Sequence, residues 1–523
     1  MVKKLVLMMA VAVMFGQLAL IPLFGQSTIP STMFGIHQGG FEGCDKPPYD
    51  YAFTDVGAMT LRTWNACMIY WANMNPSDGV YYFTKLDALL AAAKSAGMAD
   101  VYLQLGNTPP WISQNPYDPN CDLDNGFCQP PSDINPNGTG TDLAWRNFIQ
   151  ALALHVTDPT YLQTHALVRY WEIWNEIYRS DTLSNYSCDR FGKCAYRGTF
   201  AQILRMAQDM RCILKGIADD PITGLGKTCG TAGYGQIGLD KTAHTMATDA
   251  ESFPAEASAV YENFLRCDQN PPAGSMCTWS RSNPLGSNTT DAIVLHVYTG
   301  AAIYPERFLY SISKFRGILS AADQKKPMFS GEGSWGPNST QTDPDLSAGF
   351  VPRYYLSLWM SGISRGYWYA WSSWEATGGL WSPTAMDYGD GNYLRCQHFD
   401  SKTEGYWCTG ATAYAQTTKW LSGANVVGWT CPPDGCGISY KSYMGVYTFD
   451  ISDDSGYHGE IAWDNRQTSP CRNPQCGTTP YVAPGYTTQW RDLNGVLHKG
   501  KPTTIGAEPI LAESFSRRKQ AAH

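Results

Sequence analysis

The sequence predicts an α/β chain, with a (β/α)8 barrel over residues 26–423 and a smaller antiparallel β-sandwich over 424–515. Three observations carry this expectation. From about Thr32 to Gly423, short apolar runs ending in Gly, Asn or His alternate with amphipathic helical stretches, the texture of βα units around a parallel sheet. After Leu421-Ser422-Gly423 that texture gives way to alternating strands and hairpin turns. At 523 residues, the chain has room for a barrel of about 250 to 400 residues and one further module.

Candidate barrel strands fall at 33–37, 58–63, 101–105, 168–174, 292–297, 327–330 and 366–371, with the fifth expected near 229–234. Among the intervening helices, Thr84 with Asp87 three residues on resembles a capping box. Leu86, Leu89, Leu90 and Ala93 then make an apolar face, and Gly97 ends the helix. Asp343 before Pro344 opens another helix, which runs through Tyr354 and Trp359. In the C-terminal module the strands read as 446–450, 460–464 and 486–493, the last followed by Asn494-Gly495, a two-residue hairpin signal. Residues 516–523, with Arg517, Arg518 and Lys519, read as a solvated basic tail, and no tandem repeat runs through the chain.

The first residues, Met1-Val2-Lys3-Lys4 followed by a largely apolar run from Leu5 to Leu23, have the form of a secretory signal peptide over residues 1–25. A membrane anchor is the competing reading. Gly16, Gln17 and Pro22 interrupt the run and favour cleavage, which leaves no stable membrane span and a secreted product, extracellular or periplasmic. Cysteine usage agrees with export, because the 16 cysteines fall as close neighbours: 121 and 128, 188 and 194, 267 and 277, 396 and 408, 431 and 436, 471 and 476. Pairing in sequence order adds Cys44 with Cys67 and Cys212 with Cys229. Structural zinc takes its ligands from Cys-x-x-Cys or His-x-x-x-His pairs, which this sequence lacks, so neither metal nor cofactor is expected.

Charged residues are only 16% of the chain and aromatics 13%. A surface short of ions and rich in aromatic and amide groups suits a neutral carbohydrate, since aromatic faces stack on apolar sugar faces and amides bond hydroxyls. A net charge of −8 argues against nucleic acid, which calls for basic stripes.

Strand four ends in Trp171-Glu172-Ile173-Trp174-Asn175-Glu176, which puts a carboxylate at the C-terminal end of a barrel strand, where this fold builds its active sites. A second, Glu332, follows the seventh strand. Two carboxylates across one barrel mouth can serve a double displacement, provided that one is protonated and the other ionised at the same pH. The competing reading has Glu332 capping a loop through the N–H groups of Ser334 and Trp335. Arg62, in Leu61-Arg62-Thr63-Trp64 at the end of strand two, is a candidate buried partner of Glu172. By the two-residue period of a strand, Glu172 shares a face with Trp174 and Glu176.

These motifs together resemble the retaining clan A glycoside hydrolases over roughly residues 32–423. The resemblance implies a TIM barrel in which Asn175 contacts a sugar 2-hydroxyl, Glu176 is the acid/base and Glu332 the nucleophile. It further implies that Tyr298, in His296-Val297-Tyr298, bonds the nucleophile and that His296 lines the sugar site. By the same resemblance, Arg62 keeps Glu332 ionised and Trp371 forms an aromatic platform. Trp64, Trp111, Trp335, Trp374 and Trp381 are expected on loops at the same face, with His37 as a further sugar contact. Thr108-Pro109-Pro110-Trp111 is similar to a motif of glycoside hydrolase family 39, with family 5 as the second choice, although Ile177 stands where family 39 commonly has Pro. A binuclear amidohydrolase needs His-x-His at strand one, whereas Gly35-Ile36-His37-Gln38 offers one His. A sugar-binding pseudoenzyme on the same barrel is the remaining alternative.

Overall fold

Eight short parallel strands form the barrel: β1 (Phe34–His37), β2 (Thr60–Arg62), β3 (Asp100–Gln104), β4 (Val168–Glu172), β5 (His244–Met246), β6 (Ile293–His296), β7 (Met328–Glu332) and β8 (Arg365–Trp368). Their order is β5-β4-β3-β2-β1-β8-β7-β6, and a parallel bridge from Met246 to Ala292 joins the two ends. A short strand at Ala250–Glu251 also pairs with β6. The computed structural model describes residues 28–37, 55–64, 68–122, 126–177, 188, 191–218, 227–228, 236–246, 250–251, 289–299, 304–335, 344–371, 379–382, 396–400, 405–432, 436, 443–468 and 477–515. The expected signal peptide, the basic tail, Asp343, Trp374 and Cys44, Cys67, Cys229, Cys267, Cys277, Cys471 and Cys476 lie outside the described residues.

Strand five departs from the expected position, which also lies outside the described residues. It is His244–Met246, only three residues, and it lacks the apolar run by which the other strands are recognised. Its Thr245 is tied down by polar bonds instead, its hydroxyl donating to Thr289 O at 2.6 Å and accepting from Arg211 Nη1 at 2.7 Å.

The barrel interior is filled in layers, as expected when inward side chains alternate along each strand. At the N-terminal ends, Arg365 of β8 donates to both carboxylate oxygens of Asp100 on β3 at 2.7 and 3.0 Å, and its guanidinium sits 4.6 Å from the Tyr170 ring. Above it Tyr102, Tyr170, Met246, Ala292, Val294, Phe329 and Tyr367 form one buried cluster. The C-terminal ends are different in kind. There the last residues of β1, β2, β4, β6 and β7 are His37, Arg62, Glu172, His296 and Glu332, all polar and all buried.

The longer helices among the described residues are α1 (Thr84–Ser95), α2 (Leu143–Val156), α3 (Phe200–Lys215), α4 (Arg307–Ile318), α5 (Pro344–Met360) and α6 (Thr409–Leu421). In α1 the expected apolar face is buried, and Gly97 follows the C-cap with φ +77°. The expected cap is absent, however: Thr84 is the first helical residue and the N-cap is Phe83, with no side-chain bond. Asp87 turns outward to accept from Tyr161 Oη at 2.7 Å and to pair with His155 at 2.6 Å. A capping box does open α3, where Thr199 and Gln202 exchange bonds.

Among the described residues, the expected disulfides Cys121–Cys128, Cys188–Cys194 and Cys431–Cys436 are present. The first two pack into a single buried cluster, which staples the loops after β3 and β4 to each other. Cys212 and Cys408 are also disulfide-bonded, and Cys396 faces Cys408 in antiparallel register.

The described residues divide into two compact units, one within Ser31–Lys419 and a second that joins residues 28–30 to those from Trp420 onward. In the second unit, β9 (Asn425–Thr430), β10 (Val446–Ser452), β11 (His458–Asp464), β12 (Gln489–Arg491), β13 (Leu497–Lys499) and β14 (Ile510–Glu513) make an antiparallel sheet in the order β9-β10-β11-β14-β12-β13. A two-stranded ribbon, Thr479–Pro480 with Thr504–Ile505, accompanies it. Tyr447 and Trp463, directly opposite in register, stack at 5.1 Å in its buried layer. Asn494-Gly495 is part of a three-residue loop rather than a two-residue turn: Asp492 N–H bonds Val496 O, and Gly495 takes φ +79°. Among the described residues, no helix is long and apolar enough to cross a membrane.

Candidate active site

Arg62 organises the polar end of the barrel. Fully buried at the end of β2, it donates from Nη1 to Glu332 Oε1 at 2.7 Å and from Nη2 to Glu172 Oε2 at 2.5 Å and Asn175 Oδ1 at 2.9 Å. Its Nε also reaches Glu172 Oε2, at 3.1 Å. The two roles considered for Arg62 are therefore held at once. A planar guanidinium can serve three acceptors in fixed directions, which a lysine ammonium on a flexible stem cannot do as rigidly.

Glu176 reaches the site by a different route from that expected. Strand β4 stops at Glu172, so the two-residue period does not extend to Glu176. Trp174 leaves the barrel mouth: its Nε1 donates to Ala195 O at 2.9 Å and its ring meets Tyr196 edge-on at 4.9 Å. The backbone then takes φ +49° at Glu176 itself, an uncommon conformation for a non-glycine residue and one concentrated at functional sites.

The opposite wall comes from β6 and β7. Val294 faces the interior, and two residues later so does His296. On β7 the alternation sets Phe329 inside and Ser330 outside, where its hydroxyl lies 2.8 Å from Tyr354 Oη. Simple alternation would carry Glu332 outward with Ser330. A register shift intervenes, with Ser330 opposite Leu295 but Glu332 opposite His296, so Gly331 is an inserted residue. The bulge re-aims the carboxylate into the mouth. There Glu332 Oε2 accepts from Tyr298 Oη at 2.9 Å and lies 3.5 Å from His296 Nδ1. The same Nδ1 shares a 2.9 Å hydrogen bond with Glu176 Oε1.

One oxygen of Glu176, one nitrogen of His296 and one oxygen of Glu332 thus lie within 4.8 Å of one another. The two carboxylates are not equivalent. Glu332 is the more enclosed, with 5% of its side chain exposed against 13% for Glu176, and both Arg62 and Tyr298 donate to it. Burial, with Glu332 and other acidic neighbours, raises Tyr298 well above the usual phenol value, so it stays protonated and remains a donor. His37 is lowered well below the ordinary histidine value by burial and then by Arg62, and is neutral.

The remaining expected residues separate into two groups. Asn175 is at the centre, bonded to Arg62. Trp371 follows β8 and is buried, its backbone N–H donating to His37 O at 2.8 Å. Trp335 packs in the layer behind the sheet, edge-on to Phe350 at 5.8 Å and Trp368 at 5.2 Å. Trp64 and Trp111 are partly exposed; the first lies 5.3 Å from the Tyr70 ring and the second donates from Nε1 to Asn75 O at 2.9 Å. Only the backbone of Trp381 is described, as part of a short strand. Sequence reasoning missed Gln104, the last residue of β3, buried in register with Glu172 and with no hydrogen-bond partner for either amide atom among the described residues. Alternation from Asp100 and Tyr102 was the signal that could have found it.

The arrangement places the chain on a fold shared with known carbohydrate enzymes. A glucosidase of Croceicoccus marinus superposes with a TM-score of 0.52 at 12% identity, covering 94% of this chain and 96% of that one. A glycoside hydrolase family 51 arabinofuranosidase of Xanthomonas axonopodis pv. citri gives 0.50 at 9% identity, covering 94% and 98%. A conserved exported protein of Bacteroides fragilis gives 0.52 at 11%, covering 92% and 91%. At these identities the likeness is one of fold. No sequence family matches the chain, and no curated protein does.

Proposed function

We propose that this protein is a secreted retaining glycoside hydrolase that cleaves O-glycosidic bonds of a poly- or oligosaccharide. The observation that carries the reading is the close approach of Glu176 and Glu332, oxygen to oxygen within 4.8 Å. Retaining enzymes hold their carboxyls about 5 to 5.5 Å apart, whereas inverting enzymes leave roughly 6.5 to 9.5 Å for a water. Glu332, ionised beside Arg62 and Tyr298, attacks the anomeric carbon while Glu176 protonates the departing oxygen. Glu176, more open to solvent, then takes a proton from water as the covalent glycosyl-enzyme is hydrolysed. His296 stands between the two and can pass hydrogen-bond support to whichever is charged.

The resemblance to clan A, nearest to family 39, supports the same assignment, as do a glucosidase and an arabinofuranosidase on the same fold. Export is supported by the three local disulfides, which persist in oxidising compartments. Proton NMR of the first product formed from an aryl glycoside tests the mechanism, with retained configuration expected. Glu332→Gln should be inactive; Glu176→Ala should accumulate glycosyl-enzyme on substrates with good leaving groups and be rescued by azide. An inverted product, or full activity in Glu332→Gln, sinks the assignment.

A further inference from the structure

His37 ends β1 with its side chain fully buried. Its ring is set between aromatic neighbours from β8 and the residues just after it, 6.4 Å from Tyr367 and 5.2 Å from Tyr369, both edge-on. From there Nε2 reaches across to β7 and lies 2.7 Å from the carbonyl oxygen of Gly331. A carbonyl only accepts, so Nε2 carries the hydrogen. Burial and the Arg62 charge keep this ring neutral, which fixes it as a donor through Nε2.

Gly331 is the residue that the bulge takes out of pairing with β6, immediately before Glu332. A bulged peptide loses ladder bonds, and a buried carbonyl without a partner is costly, so such a turn persists where something else holds it. The position admits nothing bulkier than glycine, since an added Cβ would sit 2.5 Å from Val294 Cγ1. The histidine therefore grips the backbone at the point where β7 departs from regular alternation.

We propose that His37 is a positioning residue: its Nε2–H holds the Gly331 carbonyl and so fixes the turn that delivers Glu332 to Arg62 and Tyr298. The kinetic consequence rests on Glu332 being the nucleophile, while the positional claim does not. His37→Phe keeps a ring of similar size without the donor, and His37→Gln restores an amide N–H near the place of Nε2. Crystal structures of both variants and kinetics on 2,4-dinitrophenyl glycosides provide the test.

In the Phe protein Glu332 should lose its contact with Arg62 or Tyr298, and kcat should fall at least about tenfold, the scale of a misplacement short of 1 Å. KM should stay within about twofold, because no substrate contact is removed. The Gln protein should keep Glu332 in place and recover most of kcat. An unmoved Glu332 in the Phe protein overturns the proposal. So does a rise in KM at unchanged kcat, which marks a sugar contact, or a Gln protein as impaired as the Phe one. Should the Phe protein fail to fold, His37→Asn, whose shorter amide cannot reach Gly331, supplies the contrast with Gln. If the wild type cleaves no glycoside, the functional reading fails by itself and the crystal structures still decide the role of His37.

Discussion

Replacing Gly331 by Ala would put a methyl group into the barrel mouth 2.5 Å from Val294 Cγ1, with His296 Cδ2 at 3.4 Å and Nε2 at 3.5 Å. Carbon atoms settle at about 3.5–4.0 Å, so either Val294 or the bulge must yield by about 1 Å. Val294 is held in the buried barrel cluster and Gly331 is the inserted residue of the bulge, so the backbone beside Glu332 is the softer of the two. Overpacking of this kind costs about 1–3 kcal/mol. A displacement of about 1 Å at a reacting group costs about 10²-fold in rate. Denaturant unfolding and kcat on an activated aryl glycoside should therefore both register Gly331→Ala, with the loss in kcat exceeding what the stability change explains at 25 °C. Adding Val294→Ala removes the clashing methyl and should return a substantial part of both losses. A Gly331→Ala protein with wild-type stability and kcat, or a double variant no better than the single one, would refute the reasoning.

Other expectations follow from particular contacts. Arg62→Met should destabilise by about 3–5 kcal/mol in denaturant titration, because Glu172 and Glu332 are left buried without their shared cation; Arg62→Lys should recover only part of this. Asp142 is fully buried, and burial followed by the neighbouring Asp209 raises its carboxyl well above the usual value, with Asp133 adding to the effect and Arg205 opposing it. Its contribution to stability is therefore fully present below the unfolded-state pKa and lost as pH rises towards the folded one. Asp142→Asn should flatten that decline when unfolding is followed from acid to neutral pH; an unchanged slope would contradict it. Cys121–Cys128 and Cys188–Cys194 span only 7 and 6 residues, so replacing either pair by Ser should cost about 2 kcal/mol from loop closure, read as a lower unfolding midpoint.

Much of this protein is legible in its sequence because short-range rules govern it. Seven barrel strands announce themselves as apolar runs between turn residues, and the α1 stripe of Leu86, Leu89, Leu90 and Ala93 follows from a helical period that no distant contact overrides. The carboxylates at the ends of β4 and β7 are visible for the same reason, since strand ends in a barrel converge on one face. Strand β5 is too short and too polar to stand out, because its stability comes from neighbours such as Asp291, which accepts from Thr245 N–H at 3.0 Å. Thr84 lies inside α1 rather than at its cap, and Asp87 instead meets Tyr161 and His155, 74 and 68 positions away.

What the sequence determined by itself was the order of elements and the identity of the polar groups at the barrel mouth. Only the tertiary structure decided how those groups meet. The insertion of Gly331 into β7 turned Glu332 inward, the left-handed backbone at Glu176 replaced strand alternation, and one guanidinium joined Glu172, Asn175 and Glu332 across separations of 110, 113 and 270 residues. His37 comes within hydrogen-bond distance of the Gly331 carbonyl because β1 and β7, far apart in the chain, are separated in the sheet by β8 alone. Such pairings depend on barrel closure and on the desolvation that makes each buried polar group find a partner, and neither is encoded in the spacing of residues along one strand.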